Sequence, residues 1–117
     1  MSYVFDIGDN TVWSPALRVG DLYVRMLNDI SAVLEVPTGL TAISSDMYEI
    51  DLDTFEKLVH AMRGTYFSTN HDVLRGLLAG TLGPSIKILE RGGRSVIPES
   101  PEEKSFVDWA QGLSMPQ

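Results

Sequence analysis

Two histidines, sixteen Asp and Glu side chains and no cysteine bound the chemistry open to this 117-residue chain. Without cysteine there is no thiolate nucleophile, no disulfide and no cysteine zinc site. His60 and His71 stand eleven residues apart on different predicted helices. The i, i+3 or i+4 spacing that lets two imidazoles grip one ion is absent, so neither a metal nor another cofactor is expected. Acid–base work by paired carboxylates needs environments that push their pKa values apart, normally by burying one of them. Asp51 and Asp53 flank a predicted helix start, and Asp6 and Asp9 sit at a predicted turn. The one set with scope to converge is Tyr3, Asp6, Tyr23 and Tyr48, in a pocket between an N-terminal hairpin and a long helix. No serine has a nucleophile-elbow context. Gly76, Gly80 and Gly83 recur along a helix, which suits close helix packing better than a phosphate cradle.

Recognition chemistry is denser than catalytic chemistry. Asp46, Glu49, Asp51, Asp53 and Glu56 follow one another with no base among them, and Tyr66-Phe67-Ser68-Thr69-Asn70-His71-Asp72 comes soon after. Anionic groups speed encounter with a basic partner, and aromatic side chains then anchor the complex. Asp51, Asp53, Tyr66, Phe67, Asn70 and Asp72 are therefore the candidate binding residues. Some of that acidity also serves folding, because carboxylates are favoured near a helix N-terminus.

The elements that position these groups follow from periodicity and punctuation. Residues 3–13 read as a β-hairpin around Gly8-Asp9-Asn10, with Tyr3, Phe5 and Ile7 on its apolar face. Ser14-Pro15 has the form of a cap and first helical residue for a helix over about 15–35. Its stripe is Val19, Tyr23, Met26, Ile30 and Val33, widened by Leu22, Leu27 and Leu34. Gly20 inside that helix costs ~1 kcal/mol against alanine, which implies a close neighbour there. Val36-Pro37-Thr38-Gly39 stops it, and 40–45 is a connector of no assigned type.

Residues 47–51 form a short strand, and Asp53 with Glu56 has the form of a capping box for a helix over about 54–65 burying Phe55, Leu58, Val59 and Met62. Asn70 caps the next helix, whose apolar side is Val73, Leu74, Leu77, Leu78 and Leu82. Pro84 leaves two paths open beyond it, a strand at 85–89 or one kinked helix over 71–91. Helical register from Leu74 through Ser85 to Ile88, with Gly92-Gly93 as terminus, favours the helix. Ser100-Pro101-Glu102-Glu103 starts a last helix over 101–111, with Phe106, Trp109, Ala110 and Leu113 on its buried face. The expected architecture is a single, helix-rich α+β domain: three to four helices, an N-terminal hairpin and one or two further short strands.

Composition narrows the partners. A hydrophobic share of 44% with 21% charged residues is that of a folded protein. The net charge of −7 and nine scattered basic residues argue against a nucleic-acid footprint. No apolar run approaches the ~18 residues of a membrane span, and no basic leader precedes an apolar stretch. A cytoplasmic protein is expected.

Two resemblances add to this reading. From Asp6 to Gly93 the residues Val12-Trp13-Ser14-Pro15-Ala16, Val36-Pro37-Thr38-Gly39, Glu49-Ile50-Asp51 and Ile88-Leu89-Glu90-Arg91-Gly92-Gly93 occur in that order. In these the chain resembles a set of small actinobacterial proteins sharing a domain of unknown function, which implies an actinobacterial, cytoplasmic source and supplies no activity. Over residues 49–90, Ile50, Phe55, Leu58, Tyr66-Phe67, Asn70, Asp72, Leu74, Leu78 and Gly80 are similar to the barstar family of acidic ribonuclease inhibitors. That resemblance implies a strand at 86–90 and puts Tyr66, Asn70 and Asp72 on a nuclease-blocking face. The chain departs from it at Ser68, where the family has glycine, and at Arg75-Gly76, where it has a tryptophan-aspartate step. Residues 1–46 have no counterpart there.

The expected function is non-enzymatic binding of immunity or antitoxin type to a basic, toxin- or nuclease-like protein. The competing expectation is a small cofactor-free cyclase or isomerase with a pocket between Trp13, Tyr23 and the long helix. A homodimer whose helices cover one another's apolar faces is a third.

Overall fold

A computed structural model describes residues 2–117. Gly8, at φ 58°, turns the chain between β1 (Val4–Ile7) and β2 (Asn10–Trp13), a left-handed conformation that costs glycine little. The hairpin pairs Phe5 with Trp13 and Asp6 with Thr11 across a bulge. β1 also pairs in parallel with β4 (Met47–Ile50), placing Phe5 beside Tyr48. A parallel pair needs a long crossover, and α1 (Leu17–Leu34) lies within it. The untyped connector is a strand, β3 (Leu40–Ser44), antiparallel to β4. Four of its five residues are exposed, so it had no apolar alternation to announce it. The sheet order is β2-β1-β4-β3.

Three helix starts differ from expectation. Ser14 and Pro15 do not open α1. Tyr3 N donates to Pro15 O and Ser14 N to Pro116 O, holding the chain extended until Ala16, which caps the helix without a side-chain bond. The expected stripe is also rotated. Gly20, Tyr23, Val24 and Leu27 face inward, while Val19, Leu22 and Val33 face solvent. Glu35, at φ 58°, ends the helix just before the expected stop.

α2 (Leu52–Ser68) is capped at Asp51 and runs three residues past the expected end. Asp53 and Glu56 form no capping box, because both bind Arg94 instead. Its buried residues are the expected Phe55, Leu58, Val59 and Met62.

α3 (Asp72–Arg91) is capped by His71, whose Nδ1 accepts from Leu74 N at 3.3 Å, and not by Asn70. It continues through Pro84 without a break, so the strand expected at 86–90 from the barstar likeness is overturned. An interior proline costs ~3 kcal/mol, which burial of Leu82, Ser85, Ile86, Ile88 and Leu89 outweighs. On α4 (Pro101–Gln111) the Ser100 hydroxyl accepts from Glu103 N at 3.1 Å, as expected. Val107 and Ala110 are buried there while Trp109 is 48% exposed.

The result is a single α+β domain with four helices and a four-stranded sheet. Phe5, Leu27, Phe55, Leu58, Met62, Leu82 and Ile86 centre its core. The C-terminal segment covers the outer edge of β2, through Ser14 N to Pro116 O and burial of Met115. No helix among the described residues is long and apolar enough to cross a membrane.

Candidate docking surface

The last turn of α2 places Tyr66 and Phe67, both half-buried, beside α4, with Tyr66 also packed against the core. Tyr66 lies 4.8 Å from Phe67 and 4.8 Å from Phe106 between ring centroids, and Phe106 lies 5.3 Å from Trp109. Tyr66–Phe67 and Phe106–Trp109 meet edge to face, packing that adds ~0.5–1.5 kcal/mol per pair beyond burial. Arg75 of α3 fastens the corner. Its guanidinium sits 4.8 Å over the Tyr66 ring, its Nε donates to Tyr66 O at 3.0 Å, and its Nη2 pairs with Glu102. Two helices, α2 and α4, thus present one row of four aromatic rings, fastened by Arg75 of α3 and ending in the half-exposed indole of Trp109.

Asn70 and Asp72 are exposed at the adjoining α2–α3 turn. Asp72 occupies the first turn of α3, where the helix dipole favours a carboxylate, and it has no ion-pair partner among the described residues. Glu102 and Asp108 on α4 are also well exposed. Asp51 and Asp53 are not part of this surface. They sit at the other end of α2, where fifteen residues at ~1.5 Å each put Asp51 about 22 Å from Tyr66. There Asp51 accepts from the Thr54 hydroxyl at 2.7 Å, and Asp53 holds Arg94 at 2.6 Å. Four of the six candidate residues share the corner and two do not. Phe106, Trp109 and Glu102 join them unforeseen: Phe106 packs against the core as expected of the buried face of α4, whereas Trp109, expected on the same face, is half exposed.

Tyr3, Asp6, Tyr23 and Tyr48 do not converge. Tyr3 donates to Asp21 at 3.3 Å, Asp6 accepts from Thr11 at 2.6 Å, and Tyr48 stacks on Tyr3 and Phe5. A groove of about 260 Å³ does open between Trp13, Tyr23, α1 and α3, lined also by Leu113 and Met115. Its walls are apolar side chains of Val19, Leu22, Met26 and Pro84. The Tyr23 hydroxyl is bound to Ser85 Oγ at 2.7 Å, and Ser85 donates onward to Thr81 O at 2.7 Å. Burial raises the Tyr23 hydroxyl well above the ordinary tyrosine range, which keeps it protonated and unfit as a base near neutrality. Among the described residues, no three His, Asp or Glu side chains gather where one metal ion could sit.

The chain belongs to the family of unknown function DUF6086. The family's model matches residues 1–117. No curated protein and no solved structure matches the chain significantly. Membership brings no activity with it.

Proposed function

We propose that this is a non-enzymatic binding protein of immunity or antitoxin type, resident in an actinobacterial cytoplasm, that docks a basic protein partner on the α2–α3–α4 corner. The observation that carries this reading is the row of half-buried Tyr66, Phe67 and Phe106 ending in the exposed Trp109, with the exposed carboxylate of Asp72, unpaired among the described residues, at the adjoining α2–α3 turn. Tyrosine, tryptophan and arginine are the side chains that most often dominate binding energy. A net charge of −7 draws a cationic partner in from a distance. The barstar likeness supports the role only through Tyr66, Asn70 and Asp72. With Arg75-Gly76 in place of tryptophan-aspartate, the partner differs from that family's nuclease.

The test is to co-express the chain with each protein encoded beside its gene and to titrate the purified pairs by calorimetry. A basic neighbour binds, and Trp109→Ala weakens it at least about 30-fold. Asp72→Asn slows association and flattens its salt dependence. If no neighbour binds, or if Trp109→Ala binds as tightly as wild type, the reading fails.

A further inference from the structure

A second surface is different in kind. Along the outer side of α1, Val19, Leu22 and Val33 are 52%, 58% and 78% exposed, and beside them on α3 Val73 and Leu77 are 65% and 62% exposed. The two helices run antiparallel. The first half of α1 flanks Gly80 and Pro84 along the 260 Å³ groove, and the second half flanks Leu74 and Leu77 along another of about 180 Å³. Gly76 and Gly80 open onto free space, so a visiting helix can approach the α3 backbone closely. From Val19 to Val33 the face is about 21 Å long, and two helices ~10 Å apart make it about 20 Å wide. That is roughly 400 Å² in projection, the size of the largest apolar patch on a typical monomer, which is often functional.

We propose that this face binds a second copy of the same chain, as a two-fold dimer with the α1 helices antiparallel. The charge pattern selects that occupant. Two chains of −7 repel one another, so self-contact requires a patch that is neutral and internally balanced. Positions 18, 22, 26, 29 and 33 recur at three- and four-residue steps and so share one side of α1. Between Arg18 at one end and Asp29 toward the other, that stripe is uncharged. Neither Arg18 nor Asp29 has an ion-pair partner among the described residues. A two-fold axis across α1 is isologous, and it lays Arg18 of each copy toward Asp29 of the other. A uniformly basic partner would set like charge on Arg18, and a uniformly acidic one on Asp29. Two such faces with their rims reach about 1,000 Å² of total buried area, the threshold for a specific interface.

Sedimentation velocity of the full chain, from micromolar to millimolar concentration, tests this. Wild type is expected at twice its 12.9 kDa chain mass. Leu77→Glu and Leu22→Glu each raise the dimer dissociation constant at least about 100-fold. Far-UV circular dichroism stays unchanged, because both side chains are exposed within one chain. Arg18→Asp and Asp29→Arg each weaken the dimer, and the two together restore it. Trp109→Ala leaves the dimer intact, which separates this face from the corner proposed for the basic partner. A wild type monomeric throughout, a dimer indifferent to Leu77→Glu, a dimer dissolved by Trp109→Ala, or a charge swap that fails to rescue would each overturn the proposal.

Discussion

Replacing Gly20 with alanine tests how deeply α1 sits against the sheet, and hence which of its faces is left outside. A Cβ at Gly20 would lie 2.3 Å from Tyr3 Cγ and 2.5 Å from Tyr3 Cβ, well inside van der Waals contact. The side-chain atoms it strikes are at the root of Tyr3, which cannot swing clear. Tyr3 N is bound to Pro15 O at 2.9 Å, and its ring stacks on Phe5 and Tyr48. Forcing a methyl into such a site costs ~1–3 kcal/mol, against a helix-propensity gain of ~1 kcal/mol. The middle of that range leaves a net destabilisation of ~1 kcal/mol, a fall in Tm of about 4–6 °C for a domain of this size. Gly76→Ala meets no neighbour and is the control; in the monomeric Leu77→Glu background it raises Tm by a few degrees through propensity alone. In a Tyr3→Ala background the obstacle is gone, so Gly20→Ala becomes stabilising, with a coupling of ~2 kcal/mol across the cycle. Thermal and urea unfolding followed by circular dichroism read both effects. A Gly20→Ala protein as stable as wild type would mean that α1 stands off from Tyr3 and that its outward face is assigned wrongly.

Two further substitutions test the interior. With Tyr23 buried, its raised hydroxyl pKa makes ionisation a property of the unfolded chain first. Stability from this group is therefore complete below the unfolded value of ~10 and declines by ~1.4 kcal/mol per pH unit above it. Urea unfolding from pH 8 to 11 should show that decline in wild type in excess of Tyr23→Phe; parallel curves would refute it. Glu103 is 8% exposed and pairs with the Arg63 side chain, itself 11% exposed, at 3.5 Å. Removing the acid leaves a mostly buried cation, so Glu103→Ala should cost ~3 kcal/mol or more, and Arg63→Met added to Glu103→Gln should recover most of the loss. Equal stability of the single and double variants would show that the pair is screened by solvent.

Local signals carried much of this fold because each had one reading. Ser100-Pro101 with Glu103 makes a helix start that no other conformation satisfies as well, and Phe55, Leu58, Val59 and Met62 share the only apolar arc of α2. Where a signal had two readings, tertiary structure chose between them. Asp53 and Glu56 suit a capping box, but Arg94, 38 residues beyond Glu56, offers charged hydrogen bonds that are stronger than those to backbone amides. Ser14-Pro15 suits a helix start, but Tyr3 and Pro116 offered strand-like bonds to the same stretch. β3 was illegible because an exposed edge strand has no hydrophobic period to display. The corner site was half legible: Tyr66 and Asp72 fall within one seven-residue stretch, whereas Phe106 and Trp109 reach them only through the packing of α4 on α3.

The rotated face of α1 is the most informative of these differences. Val19, Leu22, Tyr23, Met26, Leu27, Ile30, Val33 and Leu34 make an apolar arc wider than one core-facing stripe requires. Periodicity detects such an arc but cannot say which part turns inward. Gly20 decides it, because only a residue without a side chain can sit against Tyr3, and with Gly20 inward, Tyr23, Val24 and Leu27 follow while Val19, Leu22 and Val33 are left outside. If burial within one chain were the whole purpose of α1, polar residues at 19, 22 and 33 would serve it equally well. Apolar side chains on both sides of the helix are what two successive burials demand, the first on folding and the second on association.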